Sequence, residues 1–507
     1  MTRAQDSVFG IAEVCREVCR HIHTSGKRGD LARIARCSRL LMEPALDVLW
    51  EEILDMEHLL KLIPALEMTT ETQDDRETTV YRFLYPPQSN DWSRFDFYGR
   101  RVRTLRYLHY RDIDCSVFRR LGRYRLTPML PALRTLHWHH EHPGLMFGPE
   151  FISEVSPFIS SSLRHISIGT FWEHPIDYQP PSDHEALESF LHMLPYRAPS
   201  VEAFEIYGHM QVTSFAFISR FQRLRVVNLN GIVMMKPFPE RDTLTAFSTL
   251  PLLESIIGLD VLGDKLVGIS LQPGFPSLTH LSLDHVKPLG VLILLKMISS
   301  RALTSLSISH MNRGSSEEVL SCVAYLSKFS STLEEVRFAT QFEHSALDVG
   351  IPIVEACYQL PKLQVLRISS TRTQEWQMIT PTQAERMTQA WPSMRDLSLS
   401  CHLSFHSLKM FALQWHSLRS LSFGTLFADG SLREARSGTP ILSHRLASLS
   451  IQHYSPNDDH FLIASMLDRL FPRFQVGYLA VGEVMQAIKV LQEARADQEK
   501  RVLASLP

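Results

Sequence analysis

Between Val102 and Ile451 one short apolar phrase, apolar-x-x-apolar-x-apolar, recurs thirteen times. In order the phrases are Val102/Leu105/Tyr107, Leu133/Leu136/Trp138, Leu163/Ile166/Ile168, Val201/Phe204/Ile206, Leu224/Val227/Leu229 and the shorter Leu253/Ile256. They continue as Leu278/Leu281/Leu283, Leu303/Leu306/Ile308, Leu333/Val336/Phe338, Leu363/Leu366/Ile368, Met394/Leu397/Leu399, Leu418/Leu421/Phe423 and Leu446/Leu449/Ile451. The last two apolar residues of a phrase alternate with polar ones, which is the period of a strand. A short strand with one apolar face cannot bury that face alone, so the phrases predict strands stacked one on the next. Between phrases, Val291, Leu294, Leu295 and Ile298, and then Val319, Cys322, Val323 and Leu326, keep the i, i+3, i+4, i+7 spacing of an amphipathic helix.

First positions run from 102 to 446 in twelve steps of 23 to 38 residues. The mean of about 29 lies at the upper end of the leucine-rich-repeat range. The chain therefore resembles leucine-rich-repeat proteins over most of its length. This implies an α/β fold: a curved, right-handed solenoid with parallel strands on the concave face and helices on the convex face. The Asn or Cys that usually follows the third apolar position is mostly missing; Val286 and Met311 stand there in two repeats.

The first 66 residues have a helical grammar instead. Val8, Ile11, Val14, Cys15, Val18, Cys19 and Ile22 form one stripe, and the segment 25–29 (SGKRG) breaks it. Asp30 is placed to cap a second helix carrying Leu31, Ile34, Ala35 and Leu41. Pro44, suited to a first turn, opens a third with Leu46, Leu49, Trp50, Ile53 and Leu54. Residues 67–100 follow as a polar linker and entry to the array, since Glu67 to Thr79 has no apolar period. The array spans 101–470. Residues 471–507 form a last strand near Tyr478–Val481 and a capping helix with Val484, Met485, Ile488 and Leu491 that becomes charged and frays beyond Glu493.

The stretch from Asp30 to Ile53, DLARIARCSRLLMEPALDVLWEEI, resembles the second half of an F-box, in the form found in fungal F-box proteins. Leu31, Cys37, Arg39, Ala45, Leu46, Leu49 and Trp50 carry the match. The Leu-Pro pair that usually opens the motif is replaced by Val8-Phe9. The resemblance implies an adaptor that docks on the Skp-type linker of a cullin-RING ubiquitin ligase, through Val8, Phe9, Ile11, Val14, Val18, Leu31, Ile34, Leu46 and Trp50. The repeats would then hold a protein substrate. The alternative is a leucine-rich scaffold whose N-terminal helices only cap the solenoid.

Composition adds constraints. At 507 residues, with 44% hydrophobic and 21% charged residues, the chain has an ordinary globular make-up. A net charge of −2 gives no basic footprint for nucleic acid. Seven scattered cysteines form no C-x-x-C pair, and none of the five asparagines lies in a glycosylation sequon. Together with the absence of a signal-like N-terminus or a long apolar run, this predicts a reduced intracellular setting, cytoplasm or nucleus, and no membrane span.

Catalytic motifs do not appear. There is no G-x-S-x-G elbow or phosphate loop, and carboxylate pairs such as Glu317/Glu318 read as solvated faces, so no enzyme, cofactor or metal is expected. His137, His139, His140 and His142 form the densest set of ligand-type side chains, with His137 and His139 both facing away from Leu136 and Trp138. Outward positions on the predicted strands supply the candidate binding residues Arg106, His137, His139, His165, Glu205, Asn228, His280, Arg337, Arg367 and Asp396. Trp172 and Tyr178, in the 38-residue step, are candidate loop anchors.

Overall fold

The computed structural model describes residues 12–24, 28–73, 76–109, 113, 115–125, 127–140, 149–170, 184–210, 214–234, 240–263, 266, 272–311, 315–340, 350–370, 377–427, 441–454, 459–479 and 482–505. The chain divides into two compact units, Met1–Leu253 and Glu254–Pro507.

The first unit opens with helices α1 (Ala12–Thr24), α2 (Arg28–Cys37) and α3 (Arg39–Leu49), closed around Cys19, Leu31, Ala45 and Val48. Two boundaries differ from expectation. Asp30 lies inside the first turn of α2, where it pairs with Arg33 at 3.2 Å. α3 begins at Arg39, after the extended Ser38, and Pro44 sits inside it. Proline at this depth removes a single early i→i−4 bond, which the packing of buried Pro44, Ala45 and Val48 outweighs.

Glu52 and Ile53, whose spacing continues the helical stripe, form a short strand β1 that pairs in parallel with β4 (Thr104–His109). Between them, where a polar linker is expected, β2 (Leu66–Gln73) and β3 (Arg76–Phe83) make an antiparallel hairpin. Its segment is rich in threonine, a residue that suits strands without any apolar period to announce them. Trp50 stacks on Tyr98 with ring centroids 4.4 Å apart. Arg101, almost wholly buried, reaches back to Glu43 and to Asp47, the latter at 3.1 Å. These contacts fasten the helical module to the first repeat.

From β4 the strands advance in parallel: β5 (Thr135–His140), β6 (His165–Thr170), β7 (Ala203–Met210), β8 (Val226–Asn228) and a short β9 (Ile232–Met234) that also pairs with β7. The second unit repeats the pattern in β10 (Ser255–Asp260), β11 (His280–Asp284), β12 (Ser305–Met311), β13 (Glu335–Thr340) and β14 (Val365–Ser370). It ends with β15 (Met378–Ile379), β16 (Asp396–Ser404), β17 (Ser420–Phe427), β18 (Ser448–Tyr454) and β19 (Gln475–Leu479). Each of the thirteen phrases has its strand, in register with its neighbours within each unit, and the parallel ladder is that of a leucine-rich-repeat array. Equivalent apolar positions stack: Leu281, Leu306, Val336, Leu366 and Leu397 lie in one row and are buried.

Helices cover the buried side. The predicted stripes are realised in Pro288–Met297 and Ser316–Tyr325, the latter with a capping box between Ser315 and Glu318. Val286 and Met311, which replace the usual Asn or Cys, are fully buried and bridge to each other. In the first unit an aromatic core joins Tyr107, Phe118, Trp138 and Phe158, with Trp138 centred 4.2 Å from Tyr107 and 5.1 Å from Phe158. At the C-terminus the helix Gly482–Ser505 buries Val484 and Ile488 and pairs Arg495 with the buried Asp468. It stays helical well past Glu493, where fraying is expected from its charge.

Leu306→Ala, at the centre of the stacked row, is expected to cost about 2–5 kcal/mol in urea unfolding, because neighbours on both sides fix the void. A cost below about 1 kcal/mol would show that the rows pack loosely.

Candidate functional site

Strand alternation decides which side chains leave the core. Along β5, Leu136, Trp138 and His140 are buried while Thr135, His137 and His139 are half-exposed. The strand register then carries one outward row, Arg106, His137, Ser167, Glu205 and Asn228, across five strands. His165 lies in the row to one side of it, and His139 and Tyr207 in the row to the other.

These residues converge. The His137 ring lies 5.0 Å from His165 and 5.9 Å from His139, centroid to centroid. His139 Nε2 is 3.0 Å from Ser167 Oγ, and its ring is 4.8 Å from Tyr207. His165 Nε2 faces Glu205 Oε1 at 3.4 Å, and Arg106 pairs with Glu52 of β1 at 2.9 Å. Gly169 makes room for this packing: a Cβ there would lie 2.1 Å from the Tyr207 ring.

Burial and like charge set the protonation of the cluster. His137 is held below the ordinary imidazole range by burial, and further by the nearby His165 and Arg106. His139 is pushed down to about 4, by burial first and then by His137. Glu205 is held below the ordinary carboxylate range by His165, against the opposing effect of its own burial. The patch therefore presents His137 and His139 as neutral imidazoles and Glu205 as a paired carboxylate at pH 7.

His140 does not belong to it. The strand turns His140 to the opposite side, where it is buried 2.8 Å from the equally buried Glu154. Among the described residues, no group of three or more His, Cys, Asp or Glu is arranged to hold a metal ion. His142, Trp172 and Tyr178 lie outside the described residues.

Other sequence candidates are spread out. Asn228 accepts from the Asn230 N–H at 3.0 Å, shaping its own turn. In the second unit His280 Nδ1 is 2.7 Å from Thr279 Oγ1. Arg337 pairs with Glu335, and Arg367 with Asp396 through Nε at 3.3 Å. Tyr207 was not among the sequence candidates, although period two from Glu205 places it outward.

The F-box-like set divides three ways. Val8, Phe9 and Ile11 lie outside the described residues. Val14 and Val18 are exposed, at 36% and 42%, while Cys15 and Cys19 on the other side of α1 are buried. Leu31 is fully buried, Ile34 packs against the module core, and Leu46 is half-buried. Trp50 is committed to Tyr98. Leu31 therefore corrects the expectation of a linker contact: its stripe faces the module's own core.

No family model matches the chain, and no curated protein does. Among solved structures, an internalin from Listeria monocytogenes is similar at 13% identity, over 66% of this chain and 80% of that one, with a TM-score of 0.37. A leucine-rich-repeat protein from Leptospira interrogans is similar at 12% identity, over 69% of this chain and 80% of that one, with a TM-score of 0.36. The leucine-rich-repeat assignment rests on the register of this chain's own strands.

A titration test follows from His139. Between the unfolded imidazole value of 6.5 and the folded value of about 4, the unfolded chain binds a proton that the folded chain does not. Stability is therefore full above pH 6.5, falls as pH drops through that window, and levels below it. His139→Gln should flatten this acid limb in pH-dependent denaturation; an unchanged limb would exclude His139 as its source.

Proposed function

We propose that this chain is a protein-recognition scaffold. One observation carries the reading: an in-register row of polar side chains stands outward on a sheet whose other side is fully buried. Such a surface is rigid, because each side chain is fixed by a strand and by its neighbours in the row, so a partner is bound without a large ordering cost. The imidazoles of His137, His139 and His165, together with Tyr207, supply flat amphipathic contact area, and Glu205 supplies an acceptor. No catalytic constellation competes with this use among the described residues.

A finer reading rests on the F-box-like resemblance: the N-terminal module docks a Skp-type linker, and the repeats present a protein substrate to a cullin-RING ligase. What supports it is the exposed apolar surface of the module, Val14 and Val18 on α1 and Leu40 and Met42 on α3, which the module's own core does not use. The fastening of Trp50 and Arg101 to the first repeat equally suits a solenoid cap, and one module can do both.

Two experiments separate these levels. A photo-crosslinking residue at His137 should capture the partner, whereas the same residue at Glu185, exposed on the helix His184–Arg197, should not. Equal capture at both positions would sink the recognition face. For the finer reading, the intact protein should co-elute with a Skp-type linker, and Val14→Asp with Val18→Asp should abolish co-elution without changing the melting temperature. Absence of co-elution by the intact protein, where a known F-box protein binds, would leave the module a cap.

A further inference from the structure

Away from the outward rows, the second unit holds a recess of about 520 Å³ at the strand-entry edge of β16, β17 and β18. Arg395, Arg419 and Arg445 line it together with His416 and Ser417. Arg395 and Arg419 each stand immediately before a strand, at equivalent places in successive repeats, and Arg445 enters from the segment before β18. Among the described residues no carboxylate lines the recess and none pairs with these three arginines.

At the equivalent place in the first unit Arg164 faces Glu202 at 3.6 Å, and elsewhere Arg367 is matched by Asp396 and Arg101 by Asp47. The recess also lies at the C-terminal end of the helix Phe405–Gln414, whose dipole calls for roughly half a positive charge. Three guanidinium groups exceed that several-fold. The floor is built rather than incidental. His444 is buried, its Nε2 donating to the Trp415 carbonyl at 2.8 Å and its Nδ1 accepting from the Leu446 N–H at 3.0 Å. Burial also holds its pKa below the ordinary imidazole range. His444 is thus kept neutral and fixes the backbone that carries Arg445.

The geometry points to this recess as a binding site for a phosphoryl group, carried by a free small phosphate compound or by a phosphorylated side chain of a protein. A carboxylate has two oxygens in one plane and is satisfied by one guanidinium fork. A phosphoryl group near −2 charge offers three oxygens in three directions, which is what arginines drawn from three segments around one recess can saturate. The Ser417 hydroxyl adds a neutral donor. This site is independent of the partner recognised by the outward rows.

Calorimetric titration of the full chain, at a constant ionic strength of about 0.15 M, tests it with two probes. One is inorganic pyrophosphate; the other is a short phosphoserine peptide beside its unphosphorylated form. Saturable one-site binding of either probe is expected, and the tighter one identifies the source. Arg395→Gln with Arg419→Gln should weaken binding about ten-fold or more at an unchanged melting temperature. Arg445→Gln, outside any strand, provides the same test without touching the ladder. Arg134→Gln, in the corresponding row of the first unit, should leave affinity unchanged. Absence of saturable binding of both probes, an unphosphorylated peptide that binds as tightly, or an equal loss with Arg134→Gln would each overturn the assignment.

Discussion

The structure depends on one hydrogen-bond arrangement that recurs at the entry to most of the array strands. The carbonyl of the residue just before a strand accepts two backbone N–H groups from the next repeat. Arg103 accepts from Arg134 and Thr135, Arg134 from Arg164 and His165, and Thr304 from Glu334 and Glu335. The pattern recurs in the second unit through Gln364, Arg395 and Arg419. It satisfies backbone donors that would otherwise be buried unpaired, and it leaves a one-residue slip nowhere to go. Within the first unit it begins earlier than the repeats do, because Glu51 accepts from Arg103 and Thr104 at 2.9 Å. The helical module is thus bonded to the array as its first rung.

That rung explains what was legible in the sequence. The thirteen strands were readable because each phrase puts two apolar residues at period two behind a third, and nothing local competes with that signal. The strand Glu52–Ile53 was not, because Leu49, Trp50 and Ile53 also fit a helical stripe; pairing with β4 decided the matter. The hairpin of β2 and β3 had no apolar alternation to reveal it. Leu31 and Trp50 could be recognised as important from sequence, but not assigned: an amphipathic stripe does not say whether its apolar side meets its own core or a partner.

The same limit applied to the candidate site. Period two turns His137 and His139 outward, but which outward residues meet is set by register between strands. Register brought His165 and Tyr207 to the two histidines and left His280 and Asn228 elsewhere. Gly169 is the clearest case, since its value lies in the side chain it lacks. The recess of arginines needed tertiary structure altogether, because its residues are spread from Arg395 to Arg445.

Charge is distributed with a discernible logic. On the outward rows, basic side chains and carboxylates are diagonal neighbours on adjacent strands, Arg106 with Glu52, His165 with Glu205 and Arg367 with Asp396, so those surfaces are polar without being strongly charged. That favours selectivity by shape and hydrogen bonding over long-range attraction. The most direct measurement of the central claim, that module and array form one hydrogen-bonded stack, is amide hydrogen exchange at Arg103 and Thr104. The account predicts protection of the same order as at Arg134 and Thr135. Exchange at Arg103 and Thr104 as fast as at a solvent-exposed turn, with Arg134 and Thr135 still protected, would contradict it.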